Sequence, residues 1–146
     1  MKLIEYALDG KVYHLLLNGT ALFNCYDRFG TEKNLLDLIQ DDNKESYAAA
    51  TWMLAEFSRQ GELYRRYIGE DPAPFLDPAQ AATIVIPADI AGVKFALVDA
   101  IRVGFFRQHE DEAGYDPFLR EIEQKKTPEL HVRNIFGYLQ KFLDSR

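Results

Sequence analysis

The chain has 146 residues, 47% hydrophobic and 27% charged, values that fit one globular domain burying its own core and exclude wholesale disorder. Its 17 basic and 23 acidic side chains leave a net charge of -6, which argues against a nucleic-acid coat, because phosphate binding draws on clustered Lys and Arg. The single Cys25 excludes an internal disulfide and a cysteine-rich metal site.

No apolar run approaches the roughly 18 residues of a membrane span. The first ten residues, MKLIEYALDG, lack the apolar core of a signal sequence. The expectation is a soluble intracellular protein. The acidity is uneven, since residues 116 to 146 hold six basic and five acidic side chains.

Residues 2 to 8 and 11 to 17 are apolar, alternating runs on either side of Asp9-Gly10. Asp-Gly in that setting predicts a hairpin with a type I′ turn, whose two-residue loop fixes the register. Leu8 then faces Lys11, Tyr6 faces Tyr13 and Ile4 faces Leu15, so Ile4, Tyr6, Leu8, Tyr13 and Leu15 form the face that packs on helices. The same register sets Glu5 opposite His14. As a lone imidazole His14 reads as the partner of Glu5 rather than as a metal ligand or general base.

Asn18-Gly19-Thr20 supplies turn and N-cap chemistry for a helix carrying Leu22, Cys25, Tyr26 and Phe29 at helical spacing, closed by Gly30. On that apolar face Cys25 reads as a small core residue, not a nucleophile. Residues 34 to 40 predict another short helix. The next is expected to start near Asp42, with Glu45 completing a capping box, and to carry Tyr47, Ala50, Trp52, Met53, Leu54 and Phe57 inward. Gly61 is expected to bend or interrupt it. Glu62 is spaced to support Arg65 and Arg66, and these arginines beside Tyr64 and Tyr67 read as a solvated helix face rather than a platform for single-stranded nucleic acid.

Residues 69 to 77 form a loop with two prolines. Asp77-Pro78-Ala79-Gln80 is an N-cap, a proline at N1 and a glutamine at N3, which predicts a helix start. Pro87 is expected to end or kink that short helix. Residues 88 to 106 are the most apolar stretch, with Lys94, Asp99 and Arg102 confined to an arc of about 140°. They predict the central helix of a bundle, with Gly92 and Gly104 allowing close approach of neighbours.

His109, Glu110, Asp111 and Glu112 carry metal-ligand atoms, but consecutive residues do not converge on one ion as the alternate ligands of a calcium loop do. The stretch 107 to 115 reads as a solvated linker. Asp116-Pro117 starts a short helix. Thr127-Pro128 starts the last one, with Val132, Ile135, Phe136, Leu139, Phe142 and Leu143 on one side and His131 beside that stripe at the surface.

The expected fold is α+β, mostly α: an N-terminal β-hairpin followed by a bundle of about five to seven helices. Residues 1 to 106 form the core, and 107 to 146 a linker and C-terminal helical extension of the same domain.

The order of elements carries a resemblance. A hairpin (IEYALDGKVYHLLL), a glycine-closed helix (ALFNCYDRFG), an alanine-rich helix (SYAAATWMLAEF), a capped short helix (DPAQAATIVI) and a final apolar helix follow one another. This order resembles the tail assembly chaperones of long-tailed double-stranded DNA bacteriophages and their prophages, over about 106 of the 146 residues. The extension 107 to 146 departs from the short family pattern.

The resemblance implies a non-enzymatic protein that binds the helical tape measure protein and helps recruit the tail tube protein. It implies the cytoplasm of a bacterial host and absence from the mature virion. No catalytic, metal or cofactor-binding residue is expected, and neither nucleic acid nor membrane as partner. Val132, Ile135, Leu139, Phe142 and Leu143 are the candidate partner-binding residues. The same stripe is open to packing back on the bundle or to forming a homo-oligomer. The alternative is a small regulatory or adaptor interaction domain unrelated to tail assembly.

Overall fold

Asp9 and Gly10 adopt φ angles of 51° and 76°, the two positive values that a type I′ turn demands. They fold the chain into an antiparallel hairpin of β1 (Ile4–Leu8) and β2 (Lys11–Leu15). In the computed structural model, which describes residues 1–106, the register is the expected one: Leu8 opposite Lys11, Tyr6 opposite Tyr13, Ile4 opposite Leu15 and Glu5 opposite His14. Leu8, Tyr13 and Leu15 are buried, with Ile4 and Tyr6 packed against them. The expectations for the linker 107 to 115, its acidic cluster and the last two helices lie outside the described residues. So does the stripe Val132, Ile135, Leu139, Phe142 and Leu143.

Among the described residues five α-helices follow the hairpin, giving the α+β, mostly helical fold anticipated: α1 (Gly19–Phe29), α2 (Leu35–Gln40), α3 (Lys44–Tyr67), α4 (Pro78–Ile84) and α5 (Ile90–Phe105). The starts of α1 to α4 follow from side chains that accept otherwise unpaired N–H groups. Asn18 caps α1 by accepting from Ala21 N–H at 2.9 Å, and Asn34 caps α2 from Leu36 N–H at 2.9 Å. Asp77 and Gln80 form the reciprocal capping box of α4 at 2.7 and 3.0 Å. For α3 the cap is Asn43, which accepts from Ser46 N–H at 2.9 Å. Asp42, the expected cap, instead accepts from the Tyr47 hydroxyl. Gly30 closes α1 with φ 103°, and a short 3-10 turn at Pro87–Asp89 separates α4 from α5.

The centre of the bundle is α3, not the apolar helix 88 to 106. Strand β2 and helices α1, α2, α4 and α5 all pack on α3, and its residues from Met53 to Ser58 are buried without interruption. Six consecutive buried positions cover every face of a helix with 3.6 residues per turn. Several polar residues of α3, Glu56, Ser58, Gln60 and Glu62 among them, are buried and hydrogen-bonded internally. Ser58 Oγ donates to Ala55 O at 2.8 Å and accepts from Leu76 N–H at 3.0 Å. Helix α5 lies to one side, against α2, α3 and the hairpin, with Asp99 and Arg102 in solvent.

Gly61 does not interrupt α3; it admits β2. A Cβ there would lie 1.8 Å from the His14 carbonyl oxygen, inside any allowed contact. A helical side chain covers the turn N-terminal to its own Cα, so the bare Gly61 uncovers the Phe57 carbonyl. That carbonyl accepts from Leu16 N–H at 3.1 Å, fastening the end of β2 to the middle of α3. Substituting Gly61→Ala is expected to lower the unfolding free energy by about 3 kcal/mol or more, the upper end of overpacking costs. Urea denaturation checks this; a midpoint unchanged from wild type would contradict the close approach.

Candidate functional site

An apolar groove of about 400 Å³ opens where the end of β2, the first turn of α1 and the last turn of α5 meet. Leu16 and Leu17 form its buried floor. Leu22, Val103 and Phe106 are half-buried walls, and Phe105 stands at the rim with 53% of its surface exposed. Gly104 makes this corner: a Cβ there would sit 2.7 Å from the Leu17 carbonyl oxygen, so only glycine lets the end of α5 close on the chain after β2. An alternating strand would turn Leu16 outward. The bond from Leu16 N–H to Phe57 O bends the chain off the sheet and buries Leu16 and Leu17 together.

A second, shallower hollow between α1, α3 and the segment before α4 is lined by Trp52, Phe75, Arg28 and Glu56. Part of its polar lining is already engaged. Glu56 accepts from Asn24 Nδ2 and from Gln60 Nε2, both at 2.9 Å. The Arg28 guanidinium lies 5.2 Å from the centroid of the Trp52 ring, within cation–π range, and Phe29 meets the same ring edge-on at 5.4 Å.

The ionisable side chains buried in α3 and α5 hold the fold together. Glu62, with 1% of its side chain exposed, receives Arg65 and Arg66 at 2.8 Å each and the Ala73 N–H at 2.7 Å. The expected support of Arg65 and Arg66 by Glu62 is present, yet the Arg65 side chain is 12% exposed rather than solvated. Burial alone pushes the Glu62 carboxyl up, but the Ala73 N–H and the two guanidinium groups outweigh it and hold the carboxyl below its ordinary value. Lys94, expected on the polar arc of its helix, is 5% exposed. Its Nζ donates to the Asp41 carbonyl at 2.7 Å and lies 4.9 Å from the centroid of the Tyr47 ring. Burial lowers its pKa against the opposing pull of Asp42 and Asp41.

Of the other residues singled out in the sequence, His14 Nε2 lies 3.8 Å from Glu5 Oε1, a cross-strand pair. Cys25 is wholly buried, and burial with nearby Glu56 pushes its thiol up to about 12, the profile of an inert core thiol. Tyr64 is half-buried and Tyr67 exposed beside Arg66. The structure therefore gathers neither His14 nor Cys25 into the groove. What sequence reasoning missed is the groove itself, although the run Leu15-Leu16-Leu17 and the sequence Gly104-Phe105-Phe106 each break the local pattern.

Fold and groove together define a small helical domain, opened by a hairpin, with a concave apolar surface suited to apolar side chains. Comparison of the chain with protein-family models, with curated proteins and with solved structures finds no match.

Glu62 supplies a pH-dependent prediction. Because its folded-state pKa lies below the ordinary 4.5, its stabilisation is fully present above that value and is lost as pH falls through the lower, folded value. Glu62→Gln is expected to be less stable than wild type at pH 7, with the gap closing as pH falls below 4.5. Urea midpoints measured from pH 7 to pH 3 read this directly, and a gap that does not vary with pH would refute it.

Proposed function

We propose that this chain is a non-enzymatic phage tail assembly chaperone that binds the tape measure protein and helps recruit tail tube subunits in the host cytoplasm. The apolar groove between β2, α1 and α5 carries the reading. A tape measure protein is a long helix whose apolar stripe aggregates when uncovered. A concave apolar surface flanked by a rim phenylalanine takes such a stripe in the helix-in-groove mode, with side chains spaced three and four residues apart as anchors. The order of elements shared with tail assembly chaperones supports the same reading. It extends to the net charge of -6, which keeps the chaperone apart from its own copies while the apolar groove engages a client.

The test is co-expression with the product of the longest coding frame downstream of the gene, followed by soluble pull-down. A long helical protein that is soluble only with this chain supports the chaperone; a neighbour equally soluble alone and unbound sinks it, leaving the adaptor reading. Phe105→Asp places a charge at the rim. As a change at an exposed site it is expected to alter stability by within about 0.5 kcal/mol while abolishing capture. Full capture by the variant would remove the groove from the interface.

A further inference from the structure

We propose that the hollow between α1, α3 and the segment before α4 binds a primary ammonium group on an apolar stem, with Glu56 Oε1 as its acceptor. This site shares no lining residue with the apolar groove and does not depend on the chaperone reading.

Helix α3 buries two carboxylates and treats them differently. Glu62 is met by two guanidinium groups and a backbone N–H, which offset the cost of burying its charge. Glu56 is 7% exposed, but its donors are the neutral amides Asn24 Nδ2 and Gln60 Nε2, and both fall on Oε2. Among the described residues it forms no ion pair, and Oε1 accepts no hydrogen bond. That oxygen is not sealed in, since the sealed side-chain atoms without a partner are His14 Nδ1, Gln40 Oε1 and Ser46 Oγ. Glu56 Oε1 therefore opens into the hollow that its residue lines. A carboxylate held this far from bulk water gains most from a cationic donor.

The geometry selects the kind of cation. A guanidinium fork matches two free oxygens, whereas an ammonium is a compact charge that can donate to one. Here one is open. The hollow encloses about 680 Å³, within the range of small-ligand sites. Trp52 and Phe75 line it, and each ring already carries a guanidinium, Arg28 at 5.2 Å and Arg66 at 5.7 Å from the centroid. The rings are left to pack an apolar stem, while the charge goes to Glu56. Three carboxylates in the lining, Asp27, Glu56 and Asp77, stand against two guanidinium groups, Arg28 and Arg59. One ammonium cancels the single negative charge in excess.

Trp52 is the only tryptophan of the chain, so its fluorescence reports on the hollow directly. The full chain is titrated with n-pentylammonium chloride and, as the uncharged match, with n-pentanol. The expected result is a saturable change in Trp52 emission whose midpoint is severalfold lower for the ammonium. Equal midpoints, or no saturable change, overturn the proposal. Glu56→Gln keeps an oxygen that accepts from Asn24 and Gln60 but removes the charge. It is expected to weaken ammonium binding severalfold with unchanged circular dichroism, and unchanged affinity overturns the role of Glu56. The alcohol comparison uses the native chain, so it decides even where Glu56→Gln fails to fold. N-acetyl-lysine methylamide separates the two sources of such a group. If it binds as tightly as pentylammonium or tighter, the cation belongs to a lysine of a partner protein; if it binds more weakly, to a free amine.

Discussion

The architecture depends on one backbone-to-backbone approach: β2 against α3 at Gly61. A two-stranded hairpin is marginal in water by itself, and this one gains its stability by laying Leu8, Tyr13 and Leu15 on the helices. The approach is close enough that the His14 carbonyl occupies the space a Cβ would need. Moving β2 outward by the width of a methyl group would open the core layer and break the bond from Leu16 N–H to Phe57 O. The direction in which the chain leaves the sheet follows from that bond, and so does the position of Leu16 and Leu17 as the floor of the groove.

Around that contact, charge is used as fastening. Glu62 ties the last turns of α3 to the loop before α4 through Ala73, and Lys94 ties α5 to the end of α2 through the Asp41 carbonyl. Each reaches a backbone group that a turn or helix end leaves without a partner. Burying a charge is costly unless it is paired and hydrogen-bonded. Here the cost is offset by several donors on one carboxylate and, for Lys94, by a carbonyl and an aromatic face. Polar side chains thereby join elements distant in sequence, while the groove beside β2 is lined mainly by apolar residues.

That division has a functional consequence for the proposed chaperone. The groove lies where β2 and α5 end and α1 begins, away from the Glu62 and Lys94 fastenings. Its shape depends on Gly104 and on the turn of the chain after Leu15 rather than on any titrating group. On the proposed reading, occupancy would be set by apolar contact, a mode suited to clients that share a pattern more than a sequence.

The sequence by itself determined what is local. Asp9-Gly10 dictates a type I′ turn and with it the whole register of the hairpin, and Asp77-Pro78-Ala79-Gln80 dictates a helix start, because these effects act within four residues. The tertiary structure decided what depends on neighbours distant in the chain. Gly61 reads as a helix breaker by propensity, but the approach of β2 makes it the point where the hairpin docks. Residues 88 to 106 are the most apolar stretch, yet α3 is the centre, because its Glu56, Ser58, Gln60 and Glu62 find partners from α1, from the loop before α4 and within α3 itself. The groove emerged for the same reason: Leu16, Leu17, Val103 and Phe106 belong to segments far apart in sequence, and only the fold brings them to one surface.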